Sequence, residues 1–176
     1  ASLIKSKEIY LPQREESGAV TIAISESKYP FAPHLGELHL VGSGPGDLSL
    51  LTHDARTALS KCAIWFGYER YLDLLEPLRR NDQVRVNGQL TFERERCLEA
   101  IEMAKQGVRV ALVSSGDSSI YGMAGLALEI WLDLPKDHRP NFQVHPGISS
   151  IQMAAARLGA PIMNDFCVLS LSDLLT

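Results

Sequence analysis

The sequence predicts an α/β domain: a five-stranded parallel sheet flanked by helices on both faces. Three observations lead there. Residues 36–160 alternate short apolar runs with segments of helical spacing, five times over. The run from Val108 to Val113 is nearly continuous in β-branched and apolar residues, as in a strand buried on both faces. Three of the strands run directly into loops of small residues, at 42–47, 114–119 and 145–150. In a parallel sheet these loops share the carboxyl edge, where open α/β sheets bind ligands.

Residues 1–35 read as an N-terminal extension and linker. Segments 3–11 and 20–24 have the composition of short strands, and the stretch SESKYPFAPH carries Pro30 and Pro33. The boundary is expected near Gly36, with the main domain over 36–160. Glu37 to Val41 reads as the first strand, followed by the turn GSGPGD. Leu51, Ala55, Ala58, Leu59 and Cys62 then recur at helical spacing. Ala63 to Phe66 is the second strand. The helix expected from Tyr68 to Leu78 places Tyr71, Leu72, Leu75 and Leu78 on one face and must end at or tolerate Pro77. Gln83 to Val86 is the third strand. The helix from Glu93 to Gln106 turns Cys97, Ile101 and Ala104 inward, with Gly107 as a left-handed cap. The fourth strand opens at Val108, and its helix is expected from Ile120 to Leu134. Phe142 to Val144 is the fifth strand, followed by HPGISS and an Ala-rich helix to Leu158. Phe166 to Leu171 reads as one more strand, outside the sheet. Right-handed crossovers then put helices on both faces.

Composition narrows the functional classes. The chain has 176 residues, 45% of them hydrophobic, enough for a substantial core. A net charge of −4 argues against a general nucleic-acid surface. Cys62, Cys97 and Cys167 are widely spaced with no CxxC, which fits unpaired thiols in a reducing compartment and gives no zinc signature. No apolar run approaches the roughly 18 residues that span a bilayer. No signal-peptide core is present at the start. A cytoplasmic location is the expectation, with no membrane and no nucleic-acid partner.

Each loop has a bland alternative. Asp117 is the one charge in its loop, and it suits either a ligand contact or a helix N-cap. The 42–47 loop is not a dinucleotide cradle: Asp47 stands where the fingerprint needs its third glycine and would repel a pyrophosphate. Pro45 also lacks an N–H donor. The ligand is therefore expected to place no phosphate on this loop. The five histidines, His34, His39, His53, His138 and His145, show no metal spacing, so no metal site is expected. His39 reads as structural, and His53 and His138 as exposed. No GxSxG elbow offers a serine nucleophile. Arg79, Arg80 and Arg85 cluster around the third strand's entrance, either as a solvated face or as a patch for a polycarboxylate.

Four motifs in order, LHLVGSGPGDLSLLT, VALVSSGDSSIYGMAG, HPGISSIQMAAARLGAP and NDFCVLSLSDLLT, closely resemble the tetrapyrrole (precorrin) methylases. Within that family they look like the precorrin-3B C17-methyltransferase branch. The resemblance covers about residues 36–176. Residues 9–25, IYLPQREESGAVTIAIS, faintly resemble the tail of another corrin-pathway protein, a lactone-opening hydrolase.

The resemblance implies two α/β domains with S-adenosylmethionine between them, residues 161–176 beginning a second domain that is largely missing. It implies cofactor contacts at Pro45, Ser115, Gly116, Asp117, Ile120, Tyr121, Ser149 and Ser150. Gly44, Gly46 and Asp47 would face the tetrapyrrole, joined by the arginine patch at Arg79, Arg80 and Arg85. The implied reaction is methylation of C17 of precorrin-3B, or of its cobalt form, with ring contraction and release of S-adenosylhomocysteine. A homodimer is also implied. Ser119 departs from the glycine frequent in SSGDxGIYG. Tyr68 stands where related uroporphyrinogen methylases carry an acidic residue. It is the candidate catalytic residue, yet a phenol with an ordinary pKa of about 10 is a poor base at neutral pH. A sibling methylase acting at another ring carbon, or a non-catalytic binding or scaffold fragment, are the competing readings.

Overall fold

The computed structural model describes residues 35–170, which belong to one compact unit. Residues 1–34, where an extension and linker are expected, and residues 171–176 lie outside the described residues. Five strands form one sheet: β1 (Glu37–Gly42), β2 (Ile64–Tyr68), β3 (Val84–Gly88), β4 (Arg109–Ser114) and β5 (Asn141–His145). Their order is β3-β2-β4-β1-β5 and every pairing is parallel. The helices are α1 (His53–Lys61), α2 (Glu69–Leu75), α3 (Glu93–Lys105), α4 (Ala124–Leu132) and α5 (Ser150–Leu158). The expected fold class is the observed one.

Strand alternation divides the core in two. Leu38, Leu40, Phe66, Val110 and Leu112 face α3 and α4, packing on Cys97, Ala100, Ile101, Ala104, Ala127 and Ile130. Val41, Trp65, Ala111 and Val113 face the other way, onto Ala55, Ala58 and Leu59 of α1 and Leu72 and Leu75 of α2. Both faces of β4 and β1 are therefore covered, which explains their unbroken apolar runs. Each fully buried Leu or Val contributes about 1.5–3 kcal/mol. The Trp65 indole N–H is satisfied by donating to the Leu59 carbonyl at 3.0 Å.

This layout positions a site. The helices after β1 and β2 cover one face, and those after β3 and β4 cover the other. The neighbours β1 and β4 thus send their following helices to opposite sides, opening a crevice at their carboxyl ends.

Four local expectations need correction. The α2 helix stops at Leu75 and a single 3-10 turn, Glu76–Leu78, carries Pro77, because proline has no N–H for the helical ladder. The helix expected from Ile120 begins at Ala124 and ends at Leu132. Tyr121 takes φ 50°, outside the helical region, and the Ala124 N–H donates to the Ser118 carbonyl, so residues 117–123 form an irregular turn. Residues 166–170 form no strand. The Tyr121 hydroxyl instead donates to the Val168 carbonyl at 3.1 Å. Finally, Arg96 is buried on the inner side of α3, beside the expected Cys97, Ile101 and Ala104.

The three thiols are unpaired, Cys62 and Cys97 buried and Cys167 exposed. Burial pushes both buried thiols up to about 12. Alkylation of the native chain at pH 8 is therefore expected to label Cys167 alone. Peptide mass mapping checks this, and Cys62 and Cys97 should react only after unfolding.

Candidate functional site

The 42–47, 114–119 and 145–150 loops meet at the crevice between β1 and β4. Gly44 and Gly116 form an isolated antiparallel bridge: Gly116 N–H donates to the Gly44 carbonyl at 2.8 Å and Gly44 N–H to the Gly116 carbonyl at 3.0 Å. Gly147 of the third loop lies against both of the others. A Cβ at Gly147 would stand 2.0 Å from the Gly116 oxygen and 2.7 Å from the Gly42 oxygen. Three backbones approach here more closely than any side chain permits, so only glycine serves.

Asp117 ties the loops together. One carboxylate oxygen accepts from the Ser119 N–H at 2.8 Å, and the other accepts from the Gly147 N–H at 3.0 Å. The helix-cap alternative is thereby corrected: α4 begins at Ala124 with Met123 as its N-cap. The loop charge is not unpartnered either, although a carboxylate with about four acceptor positions retains two for a ligand. Thr52 adds another tie. Its hydroxyl donates to the Pro146 carbonyl at 3.0 Å while accepting from the Ala55 N–H at 3.2 Å, capping α1 and fastening the third loop.

The other expected site residues fall around this cluster. Pro45, Asp47, Ser115, Ile120, Tyr121 and Ser150 are exposed; Gly44 and Ser149 are buried, and Gly46 is half-buried. Ile120 is 43% and Tyr121 63% exposed, large apolar surfaces beside a polar loop. Asp47 accepts from the Ser49 N–H at 2.8 Å, and that backbone hydrogen bond holds its carboxyl below the usual range. The Ser149 N–H donates to Gln152 Oε1 at 2.8 Å at the start of α5. Beneath the loops, Ser118 is fully buried and its Oγ has no hydrogen-bond partner among the described residues. Tyr68 ends β2, with its ring edge-on to Tyr71 at 5.2 Å. It is one strand away from β4 on the same carboxyl edge.

The arginines do not join the cluster. Arg79 and Arg80 precede β3 and so stand at the amino edge of the sheet, opposite the three loops. Arg79 pairs with Glu76 at 2.6 Å and donates to the Gln83 carbonyl at 2.7 Å. Arg80 pairs with Asp82 at 2.9 Å. Arg85 pairs with Asp73 and, at 3.1 Å, with Glu76. The Arg79 and Arg85 hydrogen bonds hold the Glu76 carboxyl below its usual range. The polycarboxylate patch is thus corrected to a set of local ion pairs. Replacing Arg80 by Gln should leave ligand affinity and its salt dependence unchanged, measured by titration at low and high ionic strength.

One connected group was missed in the sequence. His145 Nδ1 lies 2.7 Å from Asp54, His145 Nε2 lies 2.9 Å from His39 Nδ1, and His39 Nε2 lies 3.0 Å from Glu37. Glu37 also accepts from Arg109 at 3.0 Å. Residues 37, 39 and 41 share one face of β1, a signal available in the sequence. The partners on α1 and β5 required the fold. His53 and His138 are exposed, as expected. No group of three or more His, Cys, Asp or Glu could hold a metal ion among the described residues. No helix among them is long and apolar enough to cross a membrane.

Comparison with known proteins agrees with the fold and with the motifs. The family model described as Tetrapyrrole (Corrin/Porphyrin) Methylases matches residues 37–176. The cobalt-factor III methyltransferase of Priestia megaterium is 41% identical over 143 residues, covering 80% of this chain and 26% of the relative. The probable cobalt-factor III C(17)-methyltransferase of Salmonella typhimurium is 45% identical over 139 residues, covering 79% of this chain and 56% of the relative. The crystal structure of the methyltransferase CobJ superposes with a TM-score of 0.73 at 33% identity, covering 80% of this chain and 58% of that one. The chain thus spans from about a quarter to just over half the length of these relatives. With a parallel sheet, a switch-point loop cluster and a family match running from β1 onward, the chain belongs to the tetrapyrrole (corrin/porphyrin) methylase family.

Proposed function

We propose that this chain supplies the S-adenosylmethionine-binding loops of a methyltransferase that acts on C17 of precorrin-3B or its cobalt form, with ring contraction. The observation that carries the reading is the three-loop cluster at the β1/β4 crevice in a chain of this family. The specific substrate follows the relatives named as cobalt-factor III and precorrin-3B C(17)-methyltransferases.

The residues present fit such a ligand. It carries no phosphate, and Asp47 and Pro45 make the first loop a poor phosphate cradle. Ile120 and Tyr121 offer apolar surface for an adenine ring. Asp117 keeps two acceptor positions for an amino group, and its charge favours a cationic ligand. Pro45, Ser115 and Ser150 line the opening with small groups that let the ligand approach the backbone. When bound, the cofactor supplies a methyl group on a positively charged sulfur, and the ring carbon supplies the bonding electron pair. The contribution of the protein is alignment, which is worth about 7–11 kcal/mol at best. Tyr68, at the end of β2, would donate a hydrogen bond to the tetrapyrrole as an orienting group.

The test is transfer of label from methyl-labelled S-adenosylmethionine, using the chain in the full reading frame of its gene. Label is expected in precorrin-3B or its cobalt form and not in uroporphyrinogen or precorrin-4. Transfer to uroporphyrinogen alone would assign a sibling activity. Cofactor binding without transfer to any tetrapyrrole would leave a binding module.

A further inference from the structure

The Asp54–His145–His39–Glu37 chain raises a question of proton count. Its three contacts, at 2.7, 2.9 and 3.0 Å, are all of hydrogen-bond length, so each needs one proton between its heavy atoms. The His39 and His145 ring centroids are 5.1 Å apart with planes inclined by 23°. Combined with the 2.9 Å N···N distance, this sets the two nitrogens nearly on the line between the centres, each pointing at the other. Both ends of the chain are acceptors. Asp54 is 63% exposed at the start of α1. Glu37 is held ionised by its bonds to Arg109 and His39, which outweigh burial. A neutral imidazole carries one N–H. If both rings were neutral, two protons would serve three contacts, and one contact would be left with two bare acceptors.

We infer that the His39–His145 pair holds one proton more than two neutral imidazoles, and that this proton clamps the 145–150 loop in place. Burial lowers the basicity of His39, and His145 is the ring in contact with the Asp54 carboxylate. His145 is the last residue of β5 and directly precedes Pro146 and Gly147, the part of the loop held by Thr52 and Asp117. Around the pair the charged groups are Asp54 on α1, Glu37 on β1 and Arg109 on β4. Cys62 at the end of α1, with its thiol pushed up to about 12, stays neutral. Gln143, opposite His39 on β5, carries no charge. Raising the pH removes the extra proton, leaves one of the three contacts without a hydrogen and loosens the loop. His145 is thus a positioning residue. The consequence for S-adenosylmethionine rests on the function proposed above.

The test is NMR of the 176-residue chain labelled with ¹⁵N-histidine. At the acid end of the folded range, three of the four ring nitrogens of the pair should be protonated, with His39 Nδ1 the bare one. The pair should then lose one proton in a single step that both rings report. Over that step, exchange of the Gly147 amide should accelerate beyond the ordinary base-catalysed increase. Asp54→Asn keeps an acceptor for His145 Nδ1 and removes the charge, so the step should move down by about one pH unit. The Gly147 exchange should move with it. Two ring protons at every pH of the folded chain, or a step unmoved in Asp54→Asn, would overturn the inference. So would a Gly147 exchange rate indifferent to the step. S-adenosylmethionine dialysed on either side of the step should bind more weakly on the alkaline side. If the protons and Gly147 behave as expected but no cofactor binds at any pH, the proposed function fails while the clamp stands.

Discussion

Gly147→Ala is expected to lower the thermal midpoint by about 6–12 °C and to abolish cofactor binding. The added Cβ would lie 2.0 Å from the Gly116 oxygen, held by the bridge to Gly44, and 2.7 Å from the Gly42 oxygen at the end of β1. Side chains cannot move aside to relieve this, so a loop or a strand must shift, at a cost of about 3 kcal/mol. For a domain of this size each kcal/mol is worth about 2–4 °C. Gly125→Ala is the control. It lies in α4, a Cβ there meets nothing within 4 Å, and alanine is the better helix former by about 1 kcal/mol. Its midpoint should rise or hold. If both variants melt at the parent temperature, the three-loop packing described above is wrong.

Asp117→Asn should show a double effect that separates the roles of this carboxylate. The amide keeps one acceptor oxygen, so it can satisfy Ser119 or Gly147 but not both in the present geometry. Losing one charge-assisted bond to a backbone N–H costs about 1–3 kcal/mol of stability. On the proposed function, removing the negative charge should also weaken S-adenosylmethionine binding about tenfold or more, through the lost attraction for a cationic amine and the lost loop order. Calorimetric melting and cofactor titration read the two effects separately. A drop in melting temperature with unchanged affinity would reduce Asp117 to a tie between loops. Unchanged stability with lost affinity would restore the simpler picture of a free ligand-binding charge.

The fold was largely legible because its signals are local. The runs at 37–41 and 108–113 announce strands covered on both sides, and the spacing of Cys97, Ile101 and Ala104 gives the inward face of α3. Pro77 and Gly107 each marked a helix end, one by lacking an N–H and the other by taking φ 92°. Where local pattern misled, a tertiary bond had replaced the regular ladder. Residues 120–123 carry helical spacing, yet the loop must bring Ser118 and Asp117 back toward β4 and β5, and it does so with Tyr121 at φ 50°. The 166–171 segment has strand composition, but an apolar run becomes a strand only beside a partner. Over 166–170 the Val168 carbonyl is taken by Tyr121 instead.

By itself the sequence determined the class of fold, the edge of the sheet where the loops emerge, and the family through four motifs in order. These depend on periodicity, turn residues and residue identity along the chain. Only the tertiary structure decided which residues act on one another. Asp117 reaches Gly147 across 30 positions, and His39 meets His145 across 106. Of the arginines that share a sequence neighbourhood with β3, Arg79 and Arg80 stand at the opposite edge from the loops, and all three are engaged in local ion pairs. Strand order explains the difference. Placing β1 between β4 and β5 is what makes three separated loops neighbours, and that order is set by which buried faces pack together, a property no local window contains.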